Sequence, residues 1–211
     1  MTTTPVPTDA FAAPAPADRL ERAAAALTAH GFTVEILDDV AAARARVEEV
    51  IPAGASVFTA ASETLRLSGI EDDINAVGGR YAPVKPRLLA MDRATQGDEI
   101  RRLSAAPDVV VGSVHAVTET GSLVIASGSG SQLPSCAGGA ARALWIVGAQ
   151  KIVPDLATAL RRVEEHCLPL ENERAQRVYG QPSAVNRLLV LNAEYVPGRG
   201  TVLLLREPVG F

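Results

Sequence analysis

Cysteine is scarce in this chain: among 211 residues only Cys136 and Cys167 carry thiols. Two thiols so far apart do not compose a zinc or iron–sulfur site without other ligands, so free thiols and no bound metal are expected. Long apolar runs are missing too. No stretch approaches the roughly 20 apolar residues that cross a bilayer, and residues 1–16 lack the basic start and apolar centre of a secretory signal. The expected compartment is therefore the cytoplasm, without membrane insertion. There is no excess of positive charge, since 20 Lys and Arg face 24 Asp and Glu for a formal net charge of −4. Scattered basic residues on such a chain argue against a nucleic-acid partner. A nucleophile elbow, a Walker loop and an intact dinucleotide fingerprint are also absent, and no cofactor is expected.

What remains is an ordinary globular composition, 47% hydrophobic and 21% charged, at a length that fits one domain. Residues 1–17, rich in Thr, Pro and Ala, read as a flexible tail ahead of a single α/β domain over 18–211. Asp18 is placed to cap a helix through Leu20, Ala24 and Leu27 that stops at His30-Gly31. Val34 to Leu37 reads as a strand, 40–50 as a helix and 55–58 as a strand entered through Ile51-Pro52-Ala53-Gly54. A helix opens at Ser62, a short strand follows near Tyr81, and 98–104 is helical before a strand from Asp108. Residues 143–147 form a further strand, followed by a helix over 154–167 whose Arg161-Arg162 and Glu164-Glu165 read as its wet face. Alternating helices and short apolar strands imply a layered α/β fold with a largely parallel sheet. Two last apolar runs, 188–191 and 201–206, are joined by Pro197-Gly198 and Gly200 and read as an antiparallel pair.

Chemistry concentrates between the apolar runs 109–111 and 123–125. There Ser113, His115, Thr118, Glu119, Thr120, Gly121 and Ser122 bring together a histidine, a carboxylate, hydroxyls and a glycine at the edge of buried strands. His115 and Glu119 are four apart, which suits proton transfer if the segment is helical. No arginine within the motif offers Glu119 a partner, and an unpaired carboxylate between buried strands is expensive unless used. Ser62, Glu63 and Thr64 open a helix after a strand, a placement that suits an anion, though Ser62 serves equally as a plain helix cap. Lys151 follows the strand 143–147 and reads either as a cation for a carboxylate or phosphate, or as a solvated lysine. The Gly128-Ser129-Gly130-Ser131 loop reads as a cover for a ligand, with Gly138-Gly139 permitting close packing behind it, or as a plain connector.

The run Thr118-Glu119-Thr120-Gly121-Ser122-Leu123-Val124 resembles the central motif of the LUD family, the lactate-utilisation proteins of the LutC/YkgG type. Matching blocks occur in order at Ile51 to Val57, Ser62 to Leu65, Val147 to Leu156 and Leu205 to Phe211. The resemblance implies a three-layer α/β/α sandwich of the NagB/RpiA/CoA-transferase-like kind. Relatives often carry a cysteine-rich insert near the C-terminal strand; here that region reads Tyr179 to Asn186 without cysteine. Relatives also tend to carry asparagine where this chain has His115.

Two functions follow from the resemblance. One is a non-redox binding or assembly component in the oxidation of lactate or a related organic acid to pyruvate, working with iron–sulfur and oxidoreductase partners on a small anionic ligand. The other is a stand-alone enzyme acting on a phosphorylated or CoA-linked carboxylate. In the second, Glu119 is base or nucleophile, with His115 beside it, and Ser62, Glu63, Thr64, Thr118, Thr120, Gly121, Ser122 and Lys151 bind the ligand.

Overall fold

The computed structural model describes residues 8–211. Helices α1 (Ala17–Ala29), α2 (Val40–Val50), α3 (Glu63–Leu67), α4 (Ile70–Asn75), α5 (Val84–Ala90), α6 (Gly97–Ala105), α7 (Leu156–Arg162) and α8 (Leu168–Tyr179) alternate with short strands. The strands are β1 (Thr33–Leu37), β2 (Ser56–Thr59), β3 (Ala82–Pro83), β4 (Val109–Gly112), β5 (Ala116–Thr118), β6 (Leu123–Ser127), β7 (Arg142–Gly148), β8 (Ile152–Val153), β9 (Arg187–Leu191) and β10 (Gly200–Leu205).

Six of them make one sheet in the order β1-β10-β7-β4-β2-β3, every neighbouring pair parallel. Because strand side chains alternate between faces, consecutive apolar residues supply two cores at once. Val110, Trp145, Val147, Val202 and Leu204 face Leu20 and Leu27 of α1. Val109, Val111, Leu144, Ile146, Leu203 and Leu205 face Ala43 and Val47 of α2 together with Leu65, Ile70 and Ile74 of α3 and α4. Trp145, wholly buried, meets Phe32 edge to face at 6.2 Å, an aromatic pairing worth about 1 kcal/mol beyond its buried area.

A second, mixed sheet runs β8-β5-β6-β9. One of its faces joins the α1 core through Val117, Leu123, Ile125 and Ile152. The other, through Ala116, Val124, Ala126 and Val153, packs on Ala159 and Val163. The antiparallel C-terminal pair is thus corrected. Residues 187–191 pair antiparallel with β6, whereas 200–205 enter the parallel sheet between β1 and β7. The all-apolar Val202 to Leu205 is the signature of a strand covered on both faces, which a hairpin partner at the surface would not need.

Local chemistry sets the helix starts. The carboxylates of Asp39 and Asp155 cap α2 and α7, and the Ser62 hydroxyl caps α3 through Leu65 N–H. Pro16 stands at the cap position of α1, with Asp18 in its first turn instead. Of the expected tail, residues 1–7 lie outside the described residues, while 8–16 are held to the body. Thr8 exchanges backbone and side-chain hydrogen bonds with Glu165 and His166, Ala15 N–H donates to Ala149, and Phe11 stands edge-on to His166.

Past α7 the rod does not continue as plain α-helix. Residues 163–167 form a π-turn before α8, and a π-turn stacks residues five apart.

Candidate functional site

Residues that follow the carboxyl ends of β2, β4 and β7 meet around Lys151. This lysine is 1% exposed, and its ammonium donates to Thr64 Oγ1 at 2.8 Å and Ser113 Oγ at 3.0 Å. Both partners are neutral. Burial, and then the nearby Arg162, push its pKa down to about 7, because a desolvated cation without a counter-charge gives up its proton more readily. Of the two sequence readings of Lys151, the solvated one is overturned.

Ser113 leads two residues on to His115, which is partly buried. Its Nδ1 accepts the Ala126 N–H at 3.1 Å. Burial and the two neighbouring cations, Lys151 and Arg162, hold it down to about 3, so it is neutral at ordinary pH. The His115 carbonyl accepts from Arg162 Nη1, and the same nitrogen lies 2.9 Å from Cys167 Sγ. Arg162 is 0% exposed. Its Nε and Nη2 have no hydrogen-bond partner. The reading of Arg162 as a wet-face residue is therefore corrected: Arg161 is outside, paired with Glu165, and Arg162 is inside. Sequence reasoning missed it, although the stripe Ala159, Arg162, Val163, His166 and Cys167 keeps helical spacing and all five are buried.

Beside this cluster lies an open cavity of about 800 Å³ lined by Glu63, Gln150, His166, Arg177, Val209 and Gly210 among others. Neither cation lines it, but Lys151 is linked to its lining through Thr64, which bonds both the ammonium and the Val209 carbonyl. Between the lysine and the cavity runs the segment 208–210. Gln150 Nε2 donates to the carbonyls of Val209 and Gly210 at 3.0 and 2.9 Å, and Thr64 Oγ1 donates to Val209 O at 3.2 Å. Gly210 lies so close to Thr64 that a Cβ there would meet its hydroxyl at 2.3 Å.

The motif around Glu119 is elsewhere. Residues 118–121 form a turn closed by Gly121 N–H on Thr118 O, and Thr118 Oγ1 bonds both Thr120 Oγ1 and Ser122 N–H. The Ser122 hydroxyl donates to Asn192 Oδ1. Glu119 is gripped by Arg19 at 2.5 Å and Arg22 at 3.0 Å, both on α1. Partial burial acts against its charge, but hydrogen bonds from Arg19 and then Arg22 outweigh it and hold the carboxyl below its usual range. The expectation of an unpaired Glu119 is overturned; its partners are distant in sequence. His115 and Glu119 flank a strand, not a helical turn, and no hydrogen bond joins them. Ser62 is the cap of α3, and Glu63 pairs with Arg66. Thr118, Thr120, Gly121 and Ser122 stay together in their own turn, and Thr64 and Lys151 are the expected ligand residues that meet from distant parts of the sequence. The loop at 128–131 is fastened to β9, through Arg187 Nη1 on Gly128 O, and does not line the cavity.

No helix among the described residues is long and apolar enough to cross a membrane. No group of three His, Cys, Asp or Glu side chains among them is placed to hold a metal ion.

Comparison with known proteins bears on this arrangement. No curated protein matches the chain. A crystal structure of a DUF162 family protein from Deinococcus radiodurans is similar in fold, with a TM-score of 0.51 at 15% identity over 90% of this chain and 97% of that one. The family model of the LUD domain matches residues 20–186, a span that includes Thr64, Ser113, Lys151 and Arg162, and the chain accordingly belongs to the LUD domain family, related at that level to lactate utilisation.

Proposed function

We propose that this protein is a cytoplasmic, non-redox component of the oxidation of lactate or a related organic acid to pyruvate, binding a small carboxylate for iron–sulfur oxidoreductase partners. The observation that carries the reading is Lys151, an ammonium buried at the carboxyl edge of a parallel sheet whose hydrogen-bond partners are both hydroxyls. That edge is where open α/β sheets bind ligands, and an anion there supplies the missing counter-charge. Thr64 and Ser113 aim the ammonium; the 208–210 segment and Gln150 form the wall through which the cavity meets it. With His115 neutral and Glu119 engaged by two guanidiniums, no free general base stands beside Lys151 other than its own deprotonated amine. A binding role needs none.

The test is reconstitution. The purified protein with sodium lactate and an electron acceptor should show no turnover alone, and should raise lactate oxidation when iron–sulfur oxidoreductase partners are added. Lys151→Met should abolish the increase. Turnover by the isolated chain would instead establish the stand-alone enzyme.

A further inference from the structure

We propose that the Nε and Nη2 edge of Arg162 is a bidentate clamp for the carboxylate of a small organic acid, with Lys151 meeting the oxygen substituent on the adjacent carbon. This rests on the carboxylate reading of the Lys151 site and names the group that fixes the ligand's orientation and class: a short 2-hydroxy or 2-oxo acid.

The protein itself shows what that edge of an arginine does. Arg44 grips Asp73, Arg46 grips Glu35, Arg161 grips Glu165 and Arg174 grips Glu171, each through Nε and Nη2 on the two carboxylate oxygens. The fork matches two coplanar oxygens, which is why this pairing recurs. In Arg162 the same two nitrogens are buried and have no acceptor.

A buried arginine with a purely structural task looks different. Arg199, 7% exposed, donates to the carbonyls of Ala140, Ser135 and Cys136 and pairs with Glu194. Arg162 has only the His115 carbonyl and the Cys167 sulfur, both on Nη1. Orphaned buried donors of this kind are rare because each forfeits its hydration. A charge left so is costlier still.

The two cations belong to one place. Lys151 is held by Ser113 and Arg162 by the backbone of His115, two residues further along the same segment. Arg162 lies on the inward helical stripe of Ala159, Val163 and His166, and across the π-turn at 163–167 that follows its guanidinium meets Cys167, five residues on. Two buried cations and no acidic partner call for an anion. Two separate donors of different geometry, one planar fork and one point charge, call for an anion with a planar carboxylate and a second oxygen. The adjoining cavity is the route, through the wall made by Gln150, His166 and the Val209–Gly210 strap.

The test is calorimetric titration of the intact protein with sodium pyruvate, sodium lactate and sodium acetate, read beside the arginine Nε–H resonances of 15N-labelled protein. The expected result is binding of pyruvate and lactate more tightly than acetate, a downfield shift of one Nε–H that is missing in Arg162→Lys, and pyruvate binding about ten- to hundredfold weaker in Arg162→Lys, which keeps charge and loses the fork. Arg162→Met should lose binding yet melt no lower than the parent, because it removes an unpaired buried charge. If Lys151→Met loses binding while Arg162→Lys and Arg162→Met bind as the parent does, the clamp is wrong and the Lys151 site stands. If the parent binds none of the three acids, both fall. Should an Arg162 variant fail to fold, the Nε–H of the parent decides, and an unshifted resonance at saturating pyruvate overturns the clamp.

Discussion

Thr64 Oγ1 accepts a hydrogen bond from Lys151 Nζ at 2.8 Å and donates one to Val209 O at 3.2 Å. One hydroxyl thereby ties the buried ammonium to the strap that separates it from the cavity. Thr64→Val keeps the shape and removes the relay, leaving Lys151 with one partner and the Val209 carbonyl with Gln150 alone. The expected loss is about 1–2 kcal/mol, seen as a melting temperature lowered by roughly 2–8 °C for a domain of this size. Amide exchange at Gly210 should quicken. A variant with parental melting and exchange would show that the relay carries no strain on the strap.

Gly121 makes a second sharp test. Its φ of +86° is one that L side chains avoid, and a Cβ would lie 2.7 Å from the Ala26 carbonyl carbon and 2.8 Å from His30 Nδ1. His30 Nδ1 also bonds Gly121 O, so the turn is pressed onto the end of α1. Gly121→Ala should cost about 2–4 kcal/mol. Gly54→Ala is the control, since Gly54 shares a positive φ of +77° but has nothing within 4 Å; it should cost only about 1 kcal/mol. Chemical denaturation of both variants measures the difference, and equal losses would mean that the contact with α1 contributes nothing.

How much of this was legible beforehand divides along physical lines. Elements marked by turn residues or a continuous apolar run were readable, as with β2 entered through Ile51-Pro52-Ala53-Gly54 or β7 over Leu144 to Val147. Strand partners were not: Val202 to Leu205 read as strand, but nothing local says that β1 and β7 would flank it. The site divides the same way. Thr64 and Lys151 were visible as residue types after strands, while the Arg19 and Arg22 grip on Glu119 joins residues about a hundred positions apart and left no local trace. Arg162 was hidden by its neighbour Arg161, because a pair of arginines suggests solvent when only one of them faces it.

Acid should loosen the fold through His115. Its folded pKa of about 3 lies below the ordinary value of 6.5, so between those values the unfolded chain takes up a proton that the native one refuses. Stability must then fall as pH drops from about 6.5 towards about 3. Lys151 follows the same sign higher up: with a folded pKa of about 7 against 10.5, it adds stability as pH rises from about 7 towards about 10.5. His115→Asn, whose amide oxygen can still accept from Ala126 N–H, should flatten the acid limb, and Lys151→Met the alkaline one. Denaturant midpoints across pH 4 to 9 measure both, and slopes identical to the parent would contradict the assignment.

Glu119→Gln separates the motif from the site. Glutamine keeps the size of the side chain, which is 16% exposed, and removes the charge that Arg19 and Arg22 share. Because the carboxylate's ion pairs reach only α1 and the turn itself is closed by Thr118 and Gly121, the effect should be confined to docking. The expected cost is about 1 kcal/mol for a part-exposed pair, with less of it at high salt as screening already weakens the contact. Pyruvate binding should be unchanged, since Glu119 does not line the cavity and makes no bond to Lys151, Thr64 or Ser113. Should the variant melt like the parent and yet lose pyruvate by tenfold or more, Glu119 would be a ligand residue after all, and the Lys151 cluster would have to be read as packing.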